Sequence, residues 1–412
     1  MEIWHIDVVG SGDSTLIIAT DDGVGAGHVA MTRSALIDGG RTSYANHVHN
    51  RITTQGLAAL DVMVATHYDE DHYGGLRSLL NMGNAIYANT RVYDQGEPGM
   101  VTAKRDRAQN WRWYVSGRDP QYQAYVNAVG ARVRPTGRVL AGRSGPGVSH
   151  AGWHDPDWLV GTEILLPPAP VPRGPGAPTL TCVAANQYVL RAAGAGTRLV
   201  SAAVLGDQLK NAKSLAFLLR FGNFKYYVGG DIVAVQEDGS QWNGNGYTVA
   251  QANRNNSLMQ YLNQGNNVAN RVHALKTSHH GSKYSSSPAF LARLRPRAAF
   301  ISCGTDNQYD HPDQQVVTAL HNDPTVRQYF LTGEWLNGTA NLTNFATVAG
   351  VWLPGTAAHT HRGDLCLGLT AAQAGAALVQ FTVDFFSPNA GTNIHKNPAF
   401  AYAPFGAFQM PF

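Results

Sequence analysis

The sequence predicts an α/β domain carrying a long insertion. Three observations predict it: short apolar runs bounded by glycine turns, helical stretches between those runs, and clusters of His and Asp placed directly after them. The chain has 412 residues, 44% hydrophobic and 14% charged, enough to bury one large core or two ordinary ones.

The opening alternates in a strand-like way through Ile3, His5 and Asp7 to a turn at Gly10-Ser11-Gly12-Asp13. Residues 14–19 and 35–40 read as further strands, the latter ending Asp38-Gly39-Gly40. Residues 44–60 look helical, and the apolar run 60–66 reads as a buried strand. Gly74-Gly75 then reads as a turn into a helix that begins near Leu76. Residues 85–205 are the least regular part and are expected to form an inserted cap. A helical periodicity covers 119–131, and 142–179 is rich in Gly and Pro. Order returns at 214–221 and 226–228, a hairpin ending at Gly229-Gly230-Asp231. A helix near 256–262, a strand at 272–276 and a strand at 298–303 follow. The reading is one hydrolase-type domain over 1–385 with the cap inside it, then an arm or tail over 386–412.

Thirty-one basic and 28 acidic residues leave a net charge of +3, which argues for no particular partner. Cys182, Cys303 and Cys366 are far apart and make no disulfide framework, so buried thiols in a reducing compartment are expected. The start lacks the features of a secretory leader, and no apolar run reaches the ~20 residues of a membrane span. A cytoplasmic location is therefore expected.

Four motifs carry chemistry. His67-x-Asp69-x-Asp71-His72 places four ligand-type residues in six positions after a buried strand, and imidazole with carboxylate suits Zn²⁺, Mn²⁺ or Fe²⁺. Asp231 follows two glycines, and its two oxygens suit a bridge between two metals. In His279-His280-Gly281-Ser282, neighbouring side chains on an extended segment point apart, so one histidine is expected to be a ligand and the other to touch substrate or a ligand. His311 in Asn307-x-x-x-His311-Pro312 suits a proton donor or an anion contact, and a surface histidine in a turn fits the same pattern.

Together these motifs resemble the metallo-β-lactamase superfamily, and most closely the hydrolase domain of the bacterial competence DNA-channel proteins, the ComEC type. The resemblance rests on Asp7 to Ser14, Ile37 to Gly40, His67 to Gly75, Asn211 and Ser214 before Gly230-Asp231, His279 to Ser282, and Asn307, Tyr309 and His311-Pro312. It covers roughly residues 1–85 and 205–325. It implies an αββα sandwich and a hydrolase with one or two divalent ions, Zn or Mn. The implied ligands are His67, Asp69 and Asp231 at a first site, with Asn211 nearby. At a second site they are Asp71, His72, Asp231 and one of His279 or His280. Asp69 stands where most of the superfamily has His. The wider pattern also has a His shortly before Gly-Asp, where this chain has Asn211, so the first site is expected to be weaker and oxygen-rich.

The chemistry so implied is attack by a metal-activated water, with Asp71 orienting it and His311 and His280 holding the leaving group. Ser282 and Lys283 are candidates to contact a phosphate, although a solvated loop accounts equally well for Lys283. A phosphodiesterase or nuclease acting on nucleic acid is the leading expectation. Lys104, Arg105, Arg107, Trp111, Arg112, Trp113 and Tyr114 in the cap mix bases with aromatics, as single-strand binding surfaces and amphipathic helices both do. Hydrolysis of a small ester, lactone, β-lactam or phosphocholine-type substrate is the second reading. A non-catalytic regulatory module is the third.

Overall fold

The computed structural model describes residues 1–8, 12–21, 30–95, 104–105, 111–112, 120–130, 139–140, 159–165, 176–191, 197–200, 208, 210–250, 254–255, 257–262, 272–304, 309, 311–323, 326, 328–332, 363–376, 379 and 381–386. Among them, two eight-stranded sheets pack face to face. The first runs Thr382–Phe386, Asp364–Gly368, β1 (Glu2–His5), β2 (Thr15–Asp21), β3 (Met31–Ile37), β4 (Val62–Ala65), β5 (Arg91–Asp94) and Val139–Leu140. The second runs Thr197–Leu199, Tyr188–Leu190, Thr179–Ala185, Ala216–Phe221, Phe224–Val228, Ala274–Lys276, Ala298–Ile301 and Gln328–Leu331.

Each sheet is antiparallel in one half and parallel in the other. In the first, parallel pairing starts at β3 and continues to the Val139–Leu140 edge. In the second, it starts at Phe224–Val228 and continues through Ala274–Lys276 and Ala298–Ile301 to Gln328–Leu331. Parallel strands are covered on both faces and so read as continuous apolar runs. In β4, Val62 and Val64 face the core between the sheets, while Met63 and Ala65 face the helix layer.

Three apolar layers result. Ile17, Ile37 and Val64 of the first sheet meet Phe217, Tyr226 and Phe300 of the second between the sheets. On the outer face of the first sheet lie α1 (Ala45–Thr54), with Val48 and Ile52, and α2 (Glu70–Asn81), with Leu76, Leu79 and Leu80. The second sheet is covered by Pro288–Leu294 and Gln314–Asn322, through Phe290, Leu291, Val316 and Leu320. Ser287 caps the first of these, its Oγ accepting from Phe290 N, with Pro288 at the first helical turn. The αββα sandwich implied by the resemblance is the architecture observed.

Three expectations change in detail. Gly74-Gly75 is no turn: α2 already starts at Glu70, and both glycines lie within it. A Cβ on Gly75 would sit 1.8 Å from the Gly39 carbonyl oxygen, so the glycine permits a contact between helix and loop. The region 85–205 contributes framework as well as insertion, because β5 and the strands Val139–Leu140, Thr179–Ala185, Tyr188–Leu190 and Thr197–Leu199 belong to the main sheets. The helix expected near 256–262 is a single turn, Met259–Leu262. The helix expected at 119–131 is Pro120–Gly130. The Gly- and Pro-rich stretch lies largely outside the described residues, as does the tail beyond Phe386. Cys182, Cys303 and Cys366 are buried and form no disulfide. No helix among the described residues is long and apolar enough to cross a membrane.

A buried ion pair ties the C-terminal strands to this frame. Asp364 and Arg51 are both almost wholly inaccessible, and Arg51 Nε donates to Asp364 Oδ2 at 2.6 Å while its guanidinium lies 4.3 Å from the Trp4 ring centre. The other oxygen accepts from Asp7 N at 2.8 Å and lies 3.0 Å from His47 Nε2. Burial would raise the Asp364 carboxyl, but His47 and Arg51 hold it below the usual range. Removing one member leaves the other charge buried. Asp364→Ala is therefore expected to cost about 3–5 kcal/mol in a urea unfolding experiment. A loss below about 1 kcal/mol, the size of an exposed pair, would contradict this placement.

Candidate metal centre

The site is assembled at the C-terminal ends of parallel strands, where α/β sheets gather their functional loops. β3 delivers Asp38 and β4 delivers Thr66 and His67. Asp69 occupies the cap position of α2, and Asp71 and His72 lie in its first turn, where the helix dipole favours negative charge. From the second sheet, Phe224–Val228 delivers Asp231 and Ala274–Lys276 delivers Ser278, His279 and His280. A Cβ on Gly229 would meet Ser278 Oγ at 1.8 Å, and Gly230 has φ +51°. Gly229 thus lets the Asp231 turn lie directly against the histidine turn, and Gly230, whose Cβ would sit 2.7 Å from the Leu215 carbonyl oxygen and 2.9 Å from Thr66 Cβ, lets it lie against the end of β4.

The histidine turn is not extended. His279 and His280 have φ of 50° and 53°, a left-handed conformation that costs energy in residues with a Cβ. Buried acids hold it from behind. Glu237 accepts from Ser278 Oγ at 2.6 Å and from Ser286 N at 2.5 Å, while Asp238 accepts from Ser240 Oγ and Ser287 Oγ. Because of this curl, both histidines face Asp231, where the sequence led to one facing and one turned away.

Asp231 is the centre, and its two oxygens face different groups. Oδ1 lies 3.5 Å from His72 Nε2 and 3.8 Å from His280 Nε2, and those nitrogens are 3.2 Å apart. Oδ2 lies 3.5 Å from His67 Nε2 and 3.7 Å from His279 Nε2, with Asp69 Oδ2 3.7 Å from His67 Nε2. Asp231 Oδ1 and His67 Nε2 are buried without a hydrogen-bond partner among the described residues. Buried polar atoms of native proteins rarely lack one. Their convergence with three more imidazoles, His72, His279 and His280, fits a cation centre.

Further groups fix these ligands. His72 Nδ1 lies 2.9 Å from Asp38 Oδ2, and Asp38 accepts from Thr66 N at 2.8 Å and Thr66 Oγ1 at 2.7 Å. His280 Nδ1 lies 3.2 Å from the Ser302 carbonyl oxygen and 3.4 Å from Asp13 Oδ1. With Nδ1 engaged, each Nε2 is left toward Asp231. Asp13, His72, Asp231 and His280 each offer an atom within 4.8 Å of the others. Asp13 also pairs with the buried Lys276 ammonium. Burial pushes the Asp13 carboxyl up, but Lys276 and His280 hold it well below the usual range. Burial likewise lowers His72, yet Asp231 and Asp38 raise it well above the usual histidine value. Burial takes His279 down to about 4 despite Asp231. The acids thus favour positive charge around His72, whereas burial outweighs Asp231 at His279.

The other candidate residues sit at varying distance. Asp71 is half-buried, its carbonyl oxygen accepting from Asp13 N at 3.1 Å, and it lies outside the four-residue group around His72. Asn211 Nδ2 is 3.2 Å from His279 Nε2. His311 is buried beside the histidine turn, its ring edge-on to that of His279 with centres 5.3 Å apart, and its Nδ1 is 3.3 Å from Asp313 Oδ2. Ser282 is buried in the histidine turn, with Oγ accepting from Tyr284 N, and Lys283 Nζ is 3.3 Å from Asp313 Oδ1. Asn307 and the side chains of the basic and aromatic stretch 104–114 lie outside the described residues. Asp13, Asp38, Lys276 and Lys210 join the site without a role expected from the sequence. Asp13 and Asp38 sat in recognised motifs, and a Lys closing an apolar strand was a signal for Lys276. Lys210 offered none.

No family model matches the chain. ComE operon protein 3 of Bacillus subtilis (strain 168) is 30% identical over 111 residues, 27% of this chain and 11% of that protein. The chain thus spans about a tenth of the length of the curated relative it matches. Among solved structures, Zn(2+)-bound PqqB from Methylobacterium extorquens has a TM-score of 0.36 and 10% identity, over 80% of this chain and 97% of that one. A Cronobacter sakazakii metallo-β-lactamase with a HARLDQ motif has a TM-score of 0.24 and 12% identity, over 54% of this chain and 57% of that one. Overlaps this loose carry no weight for activity, and the sandwich rests on strand order and core layers.

The support behind the histidine turn has a pH signature. Burial raises the Glu237 carboxyl from 4.5 to about 8, against the hydrogen bonds from Ser278 and Ser286. Between those values the folded state binds more protons than the unfolded one, so stability falls as pH rises. Glu237 is expected to contribute a slope of up to about 1.4 kcal/mol per pH unit across that window. Glu237→Gln mimics the protonated acid, so its melting temperature should fall less steeply from pH 5 to 8. An unchanged slope would contradict the assignment.

Proposed function

We propose that the chain is a metal-dependent hydrolase of the metallo-β-lactamase type that cleaves phosphodiester bonds, most directly those of nucleic acid. The observation that carries the metal-dependent part is the pair His72 and His280. Each is anchored at Nδ1, and each turns Nε2 to the unpartnered Asp231 Oδ1. The phosphodiester part rests on the motif resemblance to the competence-type hydrolase domain, a resemblance that the partial match to ComE operon protein 3 supports.

His72, His280 and Asp231 would hold the ion, with His67, Asp69 and His279 on the other oxygen of Asp231. A divalent ion bound there supplies Lewis acidity and lowers the pKa of a bound water. The chain does the rest. Asp38 and the Ser302 carbonyl keep the imidazoles in the tautomer that presents Nε2. Asp71, in the first turn of α2, would orient the attacking water. His311, its ring held beside Asp313, would meet the leaving group. Lys283, paired with the same Asp313, would contact a phosphate of the substrate.

Protein loaded with Mn²⁺ or Zn²⁺ is expected to cleave single- or double-stranded DNA or RNA, with activity lost on chelation and in Asp71→Ala. Asp38→Ala, which removes an outer partner of His72, should lower activity about 10–100-fold. Intact nucleic acid under all these conditions would overturn the phosphodiester reading. Turnover of a chromogenic lactam or lactone in the same assays would replace it with small-molecule hydrolysis.

A further inference from the structure

Lys210 and Asn211 are consecutive residues where the 3₁₀ turn Asn211–Lys213 begins, just before the strand Ala216–Phe221. Lys210 Nζ forms an ion pair with Asp69 Oδ1, and Asn211 Nδ2 lies 3.2 Å from His279 Nε2. Both of these partners belong to the Oδ2 side of Asp231. Of the four groups on that side, His67, Asp69, Asp231 and His279, two are therefore already engaged by neighbouring side chains. One of those side chains carries a fixed positive charge.

The Oδ1 side is built differently. His72 and His280 are fixed through Nδ1, and their Nε2 atoms stand 3.2 Å apart, both facing Oδ1. Lys276, the cation on that side, is drawn to Asp13 behind His280. One side of Asp231 thus presents three preset donors, and the other holds a cation of the chain itself.

We infer that Lys210 is the built-in cation of the Oδ2 side, so that the chain retains one divalent ion, on the Oδ1 side. A second ion would have to share the Asp69 carboxylate with the ammonium at short range, where like charges repel strongly. It would also have to displace Asn211 from His279. The inference rests on the metal-dependent reading above and adds how many ions the chain keeps and which residue decides it.

The test reads metal content, independently of turnover. Wild type, Lys210→Arg and Lys210→Met are each loaded with excess Mn²⁺ or Zn²⁺, desalted, and measured by elemental mass spectrometry. Circular dichroism checks that each is folded. Titration calorimetry follows binding of a second equivalent. Wild type and Lys210→Arg should hold one ion per chain. Lys210→Met should hold two, with second-ion affinity raised about tenfold or more. Two ions in wild type, or one in folded Lys210→Met, would overturn the inference and leave the metal-dependent reading standing. No ion in any of the three would take both down. If Lys210→Met does not fold, the wild-type titration decides alone, since a second tight binding event there is contradictory.

Discussion

The carboxylate of Asp231 lies buried at the seam of the sandwich, with two histidines against each of its oxygens. A buried carboxylate surrounded by imidazoles is stable only if positive charge is supplied nearby. That need organises the surroundings. Gly229 brings the Asp231 turn against the histidine turn, and Gly230 brings it against Thr66 of the opposite sheet. Two left-handed residues curl His279 and His280 toward it. Asp38, at the end of the opposite sheet, fixes His72 from behind. Each sheet supplies half of the centre, so the packing of the two sheets sets its geometry.

Charge is balanced in layers around that point. Lys276 offsets Asp13 behind His280, and Lys210 offsets Asp69 beside His67. Further out, Arg51 and His47 offset Asp364, which joins the C-terminal strands to α1 and to the segment after β1. Each of these acids is held below the usual carboxylate range against the effect of burial. The pocket is therefore anionic at its middle and neutralised at its edges, an arrangement that draws a cation to the middle.

Much of this was legible in the sequence because parallel strands are buried on both faces. The run containing Val62 to Ala65 could be read for that reason, as could the clustering of His67 to His72 behind it. What was hidden depends on contacts between residues distant in the chain. Gly75 reads as a turn residue until Gly39 is seen against it. His279 and His280 point apart on any extended segment, and only a left-handed pair, which local propensity disfavours, turns both inward. The strands at 91–94 and 179–199 sit between glycine- and proline-rich stretches, and their partners lie far away in sequence. Lys210 looks like an ordinary loop lysine until the second sheet brings it to Asp69.

Asp231 Oδ1, His72 Nε2 and His280 Nε2 are the proposed cation site. Anomalous diffraction from a crystal of the Mn²⁺-loaded protein locates the ion. The strongest anomalous peak is expected within coordination distance of those three atoms, and it should vanish in His280→Ala. A peak on the Oδ2 side alone, among His67, Asp69 and His279, or no peak near Asp231, would contradict that site.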